Sequence, residues 1–291
     1  MDFPRWQSEP AKRSTVKYTL SPEQTRRYAQ DGILQPLPAL NVHETAALRA
    51  QYETHASILT GRSGRKAYLL HTWLNALVRH PRILDAVESL LGPNLFCWGG
   101  QFFAKPVGDK AFVTWHQDAT YWGLSSNEVV TAWVALTPST VDSGCMQVVP
   151  GTHHVQVPHE DKFDETNMLT RGQELAVRVD PAQVVNVELE PGQMSLHHVL
   201  LFHGSESNRA DHARVGYAIR YIPTHLRQLA PSRDSALLVR GRDDYGHFDH
   251  EQDPQVDMDD AARAWHADAT ERQLRIVYAG AQSRGRLNPD R

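Results

Sequence analysis

The rhythm of apolar positions changes near residue 95. Before it, apolar residues sit in longer stretches bounded by helix punctuation. Ser21-Pro22-Glu23-Gln24 predicts a helix start, with Ser21 as N-cap, Pro22 at the first helical position and Gln24 completing a capping box; the helix runs to about Gln30 and stops at Asp31-Gly32. Residues 42–59, rich in Ala, Glu, Leu and Gln, predict a second helix, broken by Gly61-Arg62-Ser63-Gly64-Arg65-Lys66, a candidate mobile loop. A third helix, residues 82–91, follows Pro81 and ends at Gly92-Pro93. From residue 95 onward, short β-favouring runs alternate with Gly, Pro, Asp and Asn, and predict strands at 95–105, 112–116, 129–136, 146–149, 184–189, 194–196 and 215–222. This texture suits an antiparallel sandwich or barrel. Residues 155–183 are polar and weakly periodic, as a lid or binding loop would be. Residues 258–278 predict a last helix.

At 291 residues, with 41% hydrophobic and 22% charged residues, the chain has the make-up of one large globular domain with a sizeable core. A net charge of -4 gives no electrostatic argument for nucleic acid or an anionic membrane surface, which leaves small molecules as the expected partners. Two cysteines, Cys97 and Cys145, are too few for a disulfide framework, no apolar run is long enough to span a membrane, and the N-terminus lacks a signal-peptide pattern; a cytoplasmic location is expected. The sequence sets no oligomeric state.

Against this ordinary background His116-Gln117-Asp118 stands out. In extended chain, residues two apart share a face, so His116 and Asp118 can chelate one ion while Gln117 points away. Taken alone, the spacing also fits a histidine hydrogen-bonded to an aspartate in a loop. His203 adds a third donor, because an apolar run, Leu200-Leu201-Phe202, ends in it just before Gly204-Ser205. Two imidazoles and one carboxylate form the facial set that holds Fe(II) and leaves other positions open. Eleven residues on, Arg214 begins a predicted strand on whose face Gly216 and Ala218 leave room; a buried guanidinium there needs an anion, either a protein carboxylate such as Glu188 or Asp211, or the far carboxylate of a 2-oxoglutarate cosubstrate. His197, His198, His153 and His154 are expected to line the pocket, support the ligands or lie exposed. Arg62, Arg65, Lys66 and Arg171, with the histidines around His153 and His159, form either a basic rim for an anionic group or a solvated face.

These segments resemble the phytanoyl-CoA dioxygenase family of Fe(II)/2-oxoglutarate oxygenases. The likeness runs from Gly92-Pro93-Asn94 through Ala104-Lys105-Pro106, Trp115-His116-Gln117-Asp118, Thr131-Ala132-Trp133, Ser143-Gly144-Cys145-Met146-Gln147-Val148-Val149-Pro150-Gly151-Thr152-His153 and His203-Gly204-Ser205 to Arg214, within about residues 20–225. It implies a mainly β fold with peripheral helices, a double-stranded β-helix or cupin-like jelly roll. One domain is expected, with a helical part at 20–92, a jelly-roll core at 95–225 and a C-terminal extension at 226–291. The resemblance also implies Fe(II) held by His116, Asp118 and His203, 2-oxoglutarate bound through Arg214 and Ser205, Trp133 packed against it, Gln101 lining the pocket, and O2 as oxidant. Family members that halogenate replace the carboxylate ligand by Ala or Gly; Asp118 fills that place and favours hydroxylation or a related C–H oxidation of a small or medium-sized metabolite. Without long runs of Lys or Arg, a clamp for the pyrophosphate of CoA is unsupported. A non-catalytic metal-binding jelly roll and a zinc hydrolase are the competing readings. The first would form no succinate, and the second would need no O2.

Overall fold

A computed structural model describes residues 17–162, 166–169 and 172–279. The chain runs α1 (Pro22–Asp31), β1 (Ile33–Pro38), α2 (Val42–His55), a single turn α3 (Gly61–Gly64), α4 (Thr72–Val78), α5 (Pro81–Leu91), β2 (Leu95–Lys105), β3 (Val113–His116), β4 (Val130–Ala135), β5 (Met146–Val149), β6 (His159–Asp161), β7 (Gln173–Leu175), β8 (Val185–Val187), β9 (Gln193–His198), β10 (Phe202–Ser205), β11 (Arg214–Pro223), β12 (Ser235–Arg240), β13 (Asp249–His250) and α6 (Asp260–Val277). Helix boundaries follow the local chemistry. Ser21 and Gln24 close a reciprocal capping box on α1, which ends at Gly32 with φ 74°, and Asn41 and Glu44 do the same for α2.

Two sheets make the jelly roll. The larger has strand order β1-β9-β4-β11-β2-β12-β13, and the smaller β3-β10-β5-β8. Period-two alternation divides the central strands of the larger sheet. Val130, Ala132 and Val134 of β4, with Val215, Tyr217, Ile219 and Tyr221 of β11, pack with Leu48, Leu74, Leu77, Ile83 and Val87 of the helices. The opposite parity turns toward the smaller sheet: Trp133, Ala135 and Ala218 pack with Met146, Val148, Val187 and Leu201. Arg214, Gly216 and Arg220 share that inward parity.

The expected boundaries shift in two places. The larger sheet recruits β1 from the helical part and β12 from the C-terminal extension, so the jelly roll exceeds residues 95–225. The long excursion after His154 contains a β6/β7 ribbon, and Thr114 of β3 donates to the Gln173 carbonyl at 2.6 Å.

The expected mobile loop and basic rim are corrected as well. Residues 61–64 form a helical turn, and Arg62 pairs with Glu271 of α6 at 2.7 Å. Lys66 is wholly buried; its ammonium meets Glu251 at 2.5 Å and the Ser235 carbonyl at 2.9 Å. A charge so deep needs a paired counter-charge, and Glu251, also bonded by Tyr68 and Ser235, supplies it. His153 is buried against His154, 4.0 Å between ring centroids, with Nε2 3.2 Å from the Ala29 carbonyl. Arg171 lies outside the described residues.

Candidate metal centre

Strand register brings the two histidines together. In the antiparallel pairing of β10 with β3, His203 lies directly opposite His116, and the ring centroids are 4.0 Å apart. Each imidazole contacts the main chain two residues before it: His116 Nδ1 is 2.9 Å from the Thr114 carbonyl, and His203 Nδ1 is 2.9 Å from the Leu201 carbonyl. A carbonyl only accepts, so both Nδ1 atoms carry the proton and both Nε2 lone pairs are free. They converge on Asp118 Oδ1, at 3.4 Å from His116 and 4.0 Å from His203. Donor atoms no more than 4.8 Å apart share a point within about 2.8 Å of each, so a small inward movement reaches the ~2.0–2.2 Å of N and O coordination.

Gln117 fixes the turn between the two ligands. It is fully buried and points away from the centre, donating to the carbonyls of Val155 at 2.8 Å and Leu200 at 2.6 Å and accepting from the Val157 amide at 2.9 Å. His159 accepts from the Gln117 amide at 2.8 Å, which places it behind the site rather than on a rim. Burial works against a charge on Asp118, but the surrounding His203, His116 and Arg220 outweigh it and hold the carboxyl well below the usual range. Burial, reinforced by His116, pushes His203 well below the usual imidazole range. An anionic oxygen between two neutral imidazoles is the donor set a divalent cation requires.

A cavity of about 450 Å³, its open mouth included, lies beside these ligands, lined by Arg214, Ser205, Trp133, Met146, Thr131 and His197 among others. His197 lies 5.0 Å from the His203 ring, and burial lowers it to about 4. His198 instead faces Tyr28 and His153. Arg214 is 2% exposed and donates through Nη1 to the Gly144 carbonyl, while its Nε has no partner. Neither protein carboxylate proposed from the sequence reaches it: Glu188 accepts from the Val141 amide at 3.3 Å, and Asp211 lies 3.3 Å from His212. Its guanidinium instead lies over the Trp133 ring at 5.4 Å. The room expected at Gly216 is taken by that indole, since a Cβ there would fall 2.0 Å from Trp133 Cζ2.

Lys105 is a functional candidate that sequence reasoning missed. It is fully buried, donates to Ser205 Oγ at 2.7 Å and to the Glu206 carbonyl, and lies opposite Arg214 in the β2/β11 register. Burial, with the Arg214 guanidinium beside it, pushes the Lys105 ammonium down to about 7. Two cations facing each other across a strand pair repel unless an anion lies between them. The sequence hints were a lysine ending a strand just before Pro106 and its place in the family-like segment Ala104-Lys105-Pro106.

Gln101 does not line this cavity. It belongs to a second one, about 660 Å³ with its open mouth, on the other side of Asp118, together with Arg65, Trp98, Tyr121, Trp122, Gln273 and others. Asp118, Phe103 and Arg220 border both cavities.

Comparisons with known proteins agree with this arrangement. The family model described as Phytanoyl-CoA dioxygenase (PhyH) matches residues 39–216. A probable phytanoyl-CoA dioxygenase of Caenorhabditis elegans is 29% identical over 156 residues, which cover 51% of this chain and 50% of that protein. The chain thus spans about half the length of the curated relatives it matches. The apo form of the non-heme monooxygenase ThoJ is 35% identical, with a TM-score of 0.79 over 88% of this chain and 98% of its own. CytC3 with Fe(II) and alpha-ketoglutarate is 25% identical, with a TM-score of 0.61 over 80% and 93%. A family model matched over more than half the sequence, and a solved relative overlaid along nearly its whole length, fix the kinship: the chain belongs to the phytanoyl-CoA dioxygenase (PhyH) family.

Proposed function

We propose that the protein is an Fe(II)- and 2-oxoglutarate-dependent dioxygenase that hydroxylates an unactivated C–H bond of a small or medium-sized metabolite, releasing succinate and CO2. The observation that carries this reading is a His–Asp–His donor set sharing one cavity with a buried arginine that has no carboxylate partner among the described residues.

His116, Asp118 and His203 would hold Fe(II), and the remaining positions would serve 2-oxoglutarate and O2. When bound, iron supplies the activation of O2 that couples decarboxylation of the cosubstrate to oxidation of a C–H bond. The chain's own residues do the rest. Arg214 offers a planar fork to the far carboxylate of 2-oxoglutarate, Ser205 and Lys105 add donors from the neighbouring strands, and Trp133 holds the guanidinium from behind. Met146 and Val113 close the cosubstrate's chamber to water, and Phe103 borders both chambers. Gln117 holds the turn that places Asp118 on the ligand side. Gln101, across Asp118, borders the substrate rather than the cosubstrate.

The test is succinate formation by the full chain with Fe(II), 2-oxoglutarate and O2, against reactions lacking each one. Loss of product on omitting any of the three is expected. His116→Ala and Asp118→Ala are expected to lose both retained iron and turnover. O2-independent turnover, or full iron content in either variant, would refute the assignment. Among the described residues no helix is long and apolar enough to cross a membrane.

A further inference from the structure

The second cavity holds a cation that the proposed chemistry leaves uncompensated. β11 puts Arg220 six residues past Arg214 on the same inward face, without a register break between them, so the two guanidiniums border opposite ends of the site. Arg220 lies between the rings of Phe103 and Trp122, 5.7 Å from each centroid, and its Nε is shut off from solvent without a hydrogen-bond partner. It forms no ion pair with a described carboxylate. The acid nearest to it by electrostatic influence is Asp118, whose charge a bound metal would take up.

Under the reading above, the two negative charges of 2-oxoglutarate and the one on Asp118 are taken up by the dication and Arg214, before any charge on Lys105 is counted. Arg220 then remains positive in a partly desolvated position, which is unfavourable until an anion meets it. The same cavity carries Arg65, three amide side chains (Gln101, Gln173 and Gln273) and a wall formed by Trp98 and Trp122, whose rings are 5.0 Å apart. Gln273 and Val277 come from α6 and Arg220 from the end of β11, all beyond the segment matched by the family model.

We propose that this cavity takes an organic acid, with the substrate's carboxylate on Arg220 and a planar apolar body against Trp98 and Trp122. The proposal rests on the oxygenase reading for its charge balance. The carboxylate is the shared chemistry, and it has two possible sources: the substrate, or the metal-side end of 2-oxoglutarate itself.

Calorimetry on the full chain, loaded anaerobically with Fe(II) and 2-oxoglutarate, separates them. The probes are phenylacetate, 3-phenylpropionate and indole-3-propionate, each beside its primary amide. At least one acid is expected to bind about tenfold or more tighter than its amide, as one charge-assisted pair warrants. Arg220→Gln should bring that ratio to within about twofold, and Arg220→Lys, which keeps the charge, should retain part of it. Thermal unfolding of both variants checks that they fold. Equal binding of acids and amides, no binding of any acid, or a preference that survives Arg220→Gln overturns the proposal. So does a loss in Arg220→Gln that falls on 2-oxoglutarate affinity and leaves the acid preference intact, because Arg220 then serves the cosubstrate. Succinate formation without a probe, dependent on iron and 2-oxoglutarate, tests the oxygenase reading separately, so either can fail alone.

Discussion

Lys105→Met should make the metal-free protein respond differently to pH. Lys105 is wholly buried, and burial with the neighbouring Arg214 brings its ammonium from 10.5 down to about 7. Between pH 7 and 10.5 the unfolded chain therefore holds a proton that the folded chain has released, so stability rises with pH across that window. Below pH 7 both states are protonated and the full penalty, about 4 to 5 kcal/mol at 1.36 kcal/mol per pH unit, is present. From pH 6 to pH 9 roughly half of it is relieved. Methionine cannot titrate, but it leaves Ser205 Oγ and the Glu206 carbonyl without their donor, at a cost of about 1 to 2 kcal/mol at every pH. Urea unfolding of both proteins at pH 6, 7, 8 and 9 isolates the effect, because titrating groups that do not interact with Lys105 cancel in the difference. The wild type should gain about 2 kcal/mol relative to the variant between the extremes. Parallel stability curves would refute the argument. The charge that weakens the fold should also serve the ligand: 2-oxoglutarate affinity in the wild type should fall as pH rises above about 7 and lose that dependence in Lys105→Met.

Three further outcomes follow from the packing. Arg214→Ala should raise the KM for 2-oxoglutarate by about 100-fold, the value of a bidentate charged contact, measured by succinate formation at varied cosubstrate; an unchanged KM would mean that another group holds its carboxylate. Gly216→Ala would place a methyl 2.0 Å from Trp133 Cζ2, destabilising the fold by about 3 kcal/mol in urea and altering the tryptophan fluorescence. Glu251→Gln should remove about 3 kcal/mol or more by leaving the buried Lys66 without its counter-charge, and Lys66→Met combined with Glu251→Leu should recover most of it.

What the sequence disclosed was what local rules govern. The cap at Ser21, the runs forming β2, β4 and β11, and the chelating spacing of His116 and Asp118 all follow from neighbours in sequence. β1 escaped because Ile33–Pro38 contains two prolines, which a strand tolerates at a sheet edge, where β1 lies. α4 escaped because it has no side-chain cap and is buried on most sides, so no amphipathic stripe marks it. Lys66 looked like part of a basic rim because its partner, Glu251, is 185 residues away. Lys105 was hidden for the same reason: only strand register puts it opposite Arg214. Arg220 was within reach, since it has the parity of Arg214 in a predicted strand.

The imidazoles of His116 and His203 are steered by main-chain carbonyls two residues before each of them. Their aim is therefore written in the main chain and owes little to the residues that fill either chamber. Protein engineers could rebuild the walls around Trp98, Trp122 or Met146 for a new guest while the ligand cluster keeps its bearing, so on the oxygenase reading proposed above this scaffold separates the choice of what is oxidised from the means of oxidising it.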